Sequence, residues 1–406
     1  MTEFIPYGRQ DISDEDISAV VGILKSDYLT QGPAVEHFEK AFGSYLNAGH
    51  TVAVSNGTAG LHIAYLAAGI GKGDAVIVPA ITFAATSNAV LYCGATPIFA
   101  DIDPATGEMC VNSVVRCVGL AKSAGLNLKA IAPVHYAGRP CDMASLNEIA
   151  QAHKLMIIED SCHALGAEYR LTSECNFQKV GSSKFASMSV FSFHPVKHIT
   201  TGEGGAVTTH DPELARRLRM LRSHGITKNA PDFKNSHRAV SNGLQNPWYM
   251  EMEELGLNYR LCDIQAALGT SQVKRLPNFI SRRREIASQY DKAFSGQAQI
   301  SPASGDTKFS KHSYHLYPLR INFSALGNSR ASFMGSLREK GVGTQVHYIP
   351  VPWHPYYESH SKLWLSDKIE GATQFYEEEL SIPMYSSMTN GDVTRVIDAV
   401  VGLTEK

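Results

Sequence analysis

Apolar positions along the chain keep two rhythms, and the switch between them outlines an architecture. Ile17, Val20, Val21 and Leu24 recur at helical spacing, which predicts an amphipathic helix over residues 14–25. Gly32-Pro33 interrupts that pattern, and a second helix is predicted over residues 34–46. From residue 51 the rhythm becomes strand then helix, repeatedly. Apolar runs at 51–54, 75–78, 97–100, 130–133, 155–158, 190–193 and 206–209 read as strands, with helices at 59–68 and 84–93. Such alternation predicts an α/β fold with a large, mainly parallel sheet covered by helices. A long helix over 261–284 leaves that unit, and short strands and helices follow at 314–321, 330–340 and 344–348. The pattern divides the chain in two. Residues 1–265 form a large α/β domain with an N-terminal arm, and residues 266–406 the linking helix and a smaller α+β C-terminal domain.

Composition narrows the function classes. Of 406 residues, 44% are apolar and 19% charged, and the formal net charge is −2, so nothing argues for a nucleic-acid or anionic-membrane partner. The basic triplet Arg282-Arg283-Arg284 reads as the solvated face of a helix. Seven cysteines are scattered, odd in number and without a C-x-x-C pair, which suits reduced thiols better than disulfides or a zinc site. No metal is expected. The N-terminus lacks a signal-peptide pattern and no run is long enough to span a bilayer, so a cytoplasmic protein is predicted.

The candidate chemistry sits where predicted strands end. Lys197 lies between the strands at 190–193 and 206–209, in a connection crowded with Gly202, Gly204 and Gly205. A lysine so placed suits an amine that forms a Schiff base with a carbonyl cofactor; a surface lysine in a glycine-rich turn is the plainer alternative. Gly57 and Thr58 open a helix after a strand, where free N–H groups and the helix dipole favour a phosphate, unless Thr58 merely caps the helix. Asp160 follows the strand at 155–158, and a carboxylate there would favour a protonated pyridine ring; its alternative is a helix cap. His163 follows closely and could touch a ring oxygen, or be a core histidine. Ser192 could donate to the same phosphate, and Phe83 could stack on a flat ring or be buried in the core. An anion site, a flat face, a carboxylate and an amine, each at a strand end, together answer the demands of pyridoxal 5'-phosphate (PLP).

These segments resemble those of the DegT-type nucleotide-sugar aminotransferases, fold-type-I PLP enzymes, over nearly the whole chain. The resemblance rests on Asn56-Gly57-Thr58-Ala59, Thr82-Phe83 with Ala85-Thr86, Glu159-Asp160 with His163-Ala164, and Ser192-Phe193-His194 before Lys197. Gly202-Glu203-Gly204-Gly205, Arg222-Ser223-His224-Gly225, Asn258-Tyr259-Arg260-Leu261 and Gln345-Val346-His347-Tyr348 extend it. It implies a cofactor carried on Lys197, Asp160 paired with its ring nitrogen, Phe83 stacked on it, and Gly57, Thr58 and Ser192 on its phosphate. His163 would join Lys197 and Asp160 beside the reacting atoms. Asn258 would reach a neighbouring subunit's cofactor in a homodimer with shared active sites. The family's sugar dehydratases replace the lysine with histidine, so Lys197 favours transamination. Within the family, the likeness is to enzymes that aminate a UDP-linked 4-keto-6-deoxy-N-acetyl sugar in pseudaminic acid biosynthesis, with L-glutamate as donor. It places Tyr7, Asp27, Tyr28, Leu29, Thr30, Tyr314, His315, Leu316 and Tyr317 at the sugar cleft; ordinary packing is the alternative for each. A C3 or TDP-sugar aminotransferase and a non-catalytic PLP-binding regulator are the rival expectations.

Overall fold

The computed structural model describes residues 3–302 and 305–404. Its centre is an eight-stranded sheet in the order His50–Val54, Gly205–Thr209, Met188–Ser192, Met156–Asp160, Asn127–Ile131, Asp74–Pro79, Thr96–Ala100 and Leu365–Ser366. Gly205–Thr209 pairs antiparallel with both of its neighbours, and every other pairing is parallel. The remaining strands therefore all point one way, and their carboxyl ends share one edge. The seven longer strands feed both faces. Val76 and Val78 join one apolar cluster with the helices Gly57–Ala67, Ala85–Tyr92 and Pro212–Arg222, while Ala75 and Ile77 join another with Pro33–Leu46, Val111–Ser123 and Met143–His153. Burial on both sides is why these strands read as unbroken apolar runs.

The long helix runs Asp263–Phe294, past its predicted end, because Ile286, Ala287, Tyr290 and Phe294 keep a buried face in a third apolar cluster. That cluster surrounds the antiparallel strands Ile300–Pro302, Tyr317–Ile321 and Glu379–Ile382, the helices Arg330–Glu339 and Asn390–Thr404, and Ile5 from the N-terminus. Leu365–Ser366 leaves this region to add the eighth strand. Residues 344–348 form neither strand nor helix and carry a single bridge, Gln345 to Ser381.

The arginine triplet is not a solvated face. Arg283 is only 1% exposed and donates to the carbonyls of Tyr314, His315 and Met384 at 2.9–3.1 Å. Arg282 donates to the carbonyl of Met388 and Arg284 to that of His312. Backbone carbonyls from distant segments converge on this helix, and they recruit the guanidinium groups inward.

Candidate active site

Lys197 sits in the connection between the antiparallel strands Met188–Ser192 and Gly205–Thr209. Residue 193 anchors that connection. Phe193 is fully buried, meets Phe38 and Phe42 edge-on, and exchanges backbone bonds with Gly204 and Thr201. Gly202 has φ +79° and takes a bond from its N–H to Thr200 Oγ1. A Cβ on Gly205 would lie 2.7 Å from the carbonyl carbon of Asn56, so glycine lets the two strand ends close up. Lys197 is half-buried as a residue. Its Nζ is 3.4 Å from His315 Nε2, and burial lowers its pKa against the opposing pull of Cys162 and Asp160.

The helix Gly57–Ala67 begins earlier than expected, and Asn56, not Thr58, caps it: Asn56 Oδ1 accepts from the Ala59 N–H at 2.8 Å. The N–H groups of Gly57 and Thr58 take no partner among the described residues. A Cβ on Gly57 would come within 3.0 Å of Ser192 Cβ, so the helix start and the serine form one small cradle suited to a phosphate.

Asp160 is the last residue of its strand, with no helix after it to cap. It is 5% exposed; Oδ2 accepts from Thr86 Oγ1 at 2.7 Å and Oδ1 from the Cys162 N–H at 3.2 Å. Phe83 is not a core residue. It is 62% exposed, its ring 6.1 Å from that of Tyr348, and it offers a free flat face. His163 is buried, with Nε2 3.2 Å from the Tyr348 hydroxyl and its ring 4.3 Å from that of His315. Burial, then the nearby Lys197 charge, hold the imidazole well below its ordinary range, so it is neutral.

One cavity of about 900 Å³ joins these groups: Gly57, Thr58, Phe83, Asp160, His163, Ser192, Lys197, Tyr7 and His315 all line it. Asn258 does not; it is exposed, bridged to Ser223. Asp27, Tyr28, Leu29 and Thr30 are exposed and away from this chain's cavity. Tyr314, Leu316 and Tyr317 are buried packing. Tyr314 stacks on His312 at 4.0 Å, and the Tyr317 hydroxyl donates to Asp291 at 2.6 Å. Of that strip only His315 reaches the cavity.

Tyr348, His347, Gln345, Tyr259 and Cys162 also line it and were not singled out as site residues. Their signal lay in the motifs 345–348 and 258–261 themselves. His347 belongs to a buried chain. Burial raises Glu379 to about 8, so at neutral pH its carboxyl keeps its proton; Ser381 Oγ lies 2.6 Å from Glu379 Oε1 and 2.9 Å from His347 Nδ1. The His347 ring is lowered to about 3 by burial, is neutral, and lies 5.6 Å from Tyr7. This chain fixes the wall of the cavity opposite the sheet.

A profile of the DegT/DnrJ/EryC1/StrS aminotransferase family matches residues 10–401. The chain is 39% identical over 399 residues to the spore coat polysaccharide biosynthesis protein SpsC of Bacillus subtilis, covering 98% of this chain and 96% of that one. Among solved structures it is similar to Helicobacter pylori PseC, an aminotransferase involved in the biosynthesis of pseudaminic acid (TM-score 0.85, 31% identity, 99% of each chain). It is similar as well to a Streptococcus pneumoniae protein solved in its PLP form (TM-score 0.83, 28% identity, 99% and 98% of the chains). The α/β fold expected from the sequence, that of PLP-dependent aminotransferases, is the one observed.

Proposed function

Because the chain belongs to the DegT/DnrJ/EryC1/StrS aminotransferase family, whose members use PLP to aminate sugars, we propose that its cavity moves an amino group from L-glutamate to the C4 ketone of a UDP-linked 6-deoxy-N-acetyl sugar. The observation that carries the reading is the convergence of Lys197, Asp160 and the Gly57–Ser192 cradle on one cavity.

The residues present fit the cofactor. Gly57 and Thr58 offer two unpaired N–H groups and Ser192 a hydroxyl for its phosphate. Phe83 offers a ring face, and Asp160 a buried carboxylate with both oxygens steadied. PLP when bound supplies an aldehyde for the amine and a pyridine ring that accepts electrons. Lys197 Nζ would be the covalent anchor for that aldehyde and, when free, the base that takes and returns a proton; its lowered pKa makes the neutral amine accessible. Asp160 keeps a proton on the ring nitrogen. His163, held by Tyr348, stands beside Lys197 and Asp160.

The choice of sugar is supported by the likeness to PseC, by Tyr7 and His347 on the wall, and by a volume near the upper end for ligand sites, roomy enough for cofactor and sugar together. The chain is read as a cytoplasmic homodimer with shared sites. Substrates bearing carboxylates and a diphosphate need cations, yet among the described residues no arginine lines the cavity. Asn258 and the exposed Leu244, Trp248, Met252 and Leu255 are surface that a second copy would cover, and Asp27 to Thr30 could reach its partner's cleft. Incubation with the UDP-linked 4-keto sugar and glutamate should give 2-oxoglutarate and a 4-amino sugar, identified by NMR. Amination at C3, or turnover of TDP-sugars alone, would overturn the choice of sugar.

A further inference from the structure

His315 is held in place more firmly than a packing histidine requires. Arg283, fully buried on the long helix, donates to the carbonyls of both Tyr314 and His315. Tyr314 is held at φ +53°, the left-handed region that a side chain of its size rarely adopts. On either side, the Ser313 N–H donates to the carbonyl of Gly138 and the Leu316 N–H to that of Ala137. Two separate segments, the long helix and residues 137–138, thus fix the backbone around one residue, and its ring ends 3.4 Å from the Lys197 amine.

The surrounding rings allow His315 Nε2 to accept in that contact. His198 Nε2 lies 3.1 Å from the Ser313 carbonyl oxygen, which can only accept, so this nitrogen carries the hydrogen. His163 uses Nε2 toward Tyr348. The Nδ1 atoms of His163, His198 and His315 are buried and take no partner among the described residues. Burial first, and then the Lys197 charge for His163 and His315 and the Arg283 charge for His198, keep all three imidazoles neutral. A neutral His315 can turn a lone pair toward the amine, and no group of three ligating residues marks a metal site among the described residues.

We infer that His315 is a positioning residue for Lys197: its Nε2 accepts a hydrogen bond from the amine and holds it in place whenever it is not covalently engaged. The inference rests on the reading of Lys197 above. It assigns His315 a part in both halves of the reaction, whereas a residue that touches only the sugar serves one. The groups facing Lys197 are Cys162, Asp160 and His163 from the neighbouring strand end, His198 from its own turn, His315, and His347 across the cavity. Arg283 stands behind His315.

The test uses the full-length protein with His315→Phe, which keeps a ring of similar shape, and His315→Gln, whose amide oxygen still accepts. In cofactor-free protein, trace acylation of Lys197 is followed across pH by peptide mapping. The acceptor supports the ammonium, so its loss in His315→Phe should move the Lys197 midpoint to lower pH, and His315→Gln should move it back. With PLP restored, His315→Phe should slow the glutamate and sugar half-reactions alike, by about 10–100-fold, with KM little changed. An unshifted midpoint with wild-type rates overturns the inference, as does a defect confined to KM for the sugar. If the labelling shift appears but the wild type does not attach PLP at Lys197, the positioning contact stands and the reading of the site falls instead.

Discussion

The two walls of the cavity are built differently. On the sheet side, Gly57, Asp160, Ser192 and Lys197 follow directly from strand ends, each placed by a few local backbone bonds. On the opposite side, His315 and the 345–348 segment are irregular backbone, held by contacts from remote parts of the chain: Arg283 on the long helix, the Tyr136 hydroxyl on the His347 carbonyl, and Glu379 on the His347 N–H. One wall is fixed by topology, the other by side chains. The sheet wall should therefore fail chemically when altered, with its shape intact, and the far wall should fail through loss of geometry.

The sharpest break in that comparison is Lys197→Ala. It removes the anchor and the base together, and a loss of about 10⁴-fold in transamination is expected. The visible absorbance of bound PLP should no longer resist dialysis, while the melting temperature stays near the wild type, because the turn is held by Phe193 and not by the lysine. Retained turnover and a retained absorbance band would remove Lys197 from the centre of the site.

Arg283→Met attacks the other wall. Three buried carbonyls lose their donor, which outweighs the relief of a desolvated cation whose pKa burial has already lowered to about 10. A stability loss of about 3 kcal/mol is expected in thermal or denaturant unfolding. PLP should still attach, since the sheet wall is untouched, but both half-reactions should slow as His315 drifts. Unchanged stability would mean that the strip at 313–316 holds itself.

What could be read from the sequence divides along the same line. The residue that ends a strand projects at the sheet edge by backbone geometry alone, so Asp160, Ser192 and the Gly57 cradle were legible from short apolar runs. Tyr314 to Tyr317 could not be read that way. Four consecutive residues cannot all face one cavity, and which one does depends on the Arg283 clamp and on Tyr314 stacking on His312. The arginine triplet misled for the same reason, because the carbonyls that draw Arg283 inward come from residues 314, 315 and 384. The continuation of the long helix to Phe294 was visible in the spacing of Ile286, Tyr290 and Phe294.

The smallest expected effect refines the sheet wall. Thr86 stands in the first turn of the helix Ala85–Tyr92, and its hydroxyl donates to Asp160 Oδ2 while lying 2.8 Å from Thr82 Oγ1. Thr86→Val keeps the shape and removes only the donor, leaving a buried carboxylate steadied by the Cys162 N–H alone. A charge-assisted bond of this kind contributes about 1.5–3 kcal/mol. Part of that should appear as lost stability, and part as roughly tenfold slower proton transfer, each pKa-sized unit of 1.36 kcal/mol being a factor of ten. Thr82→Val, one hydroxyl further from the carboxylate, should do less. Equal rates in both variants and the wild type would show that strand geometry alone fixes Asp160, and the sheet wall would then need no side-chain support.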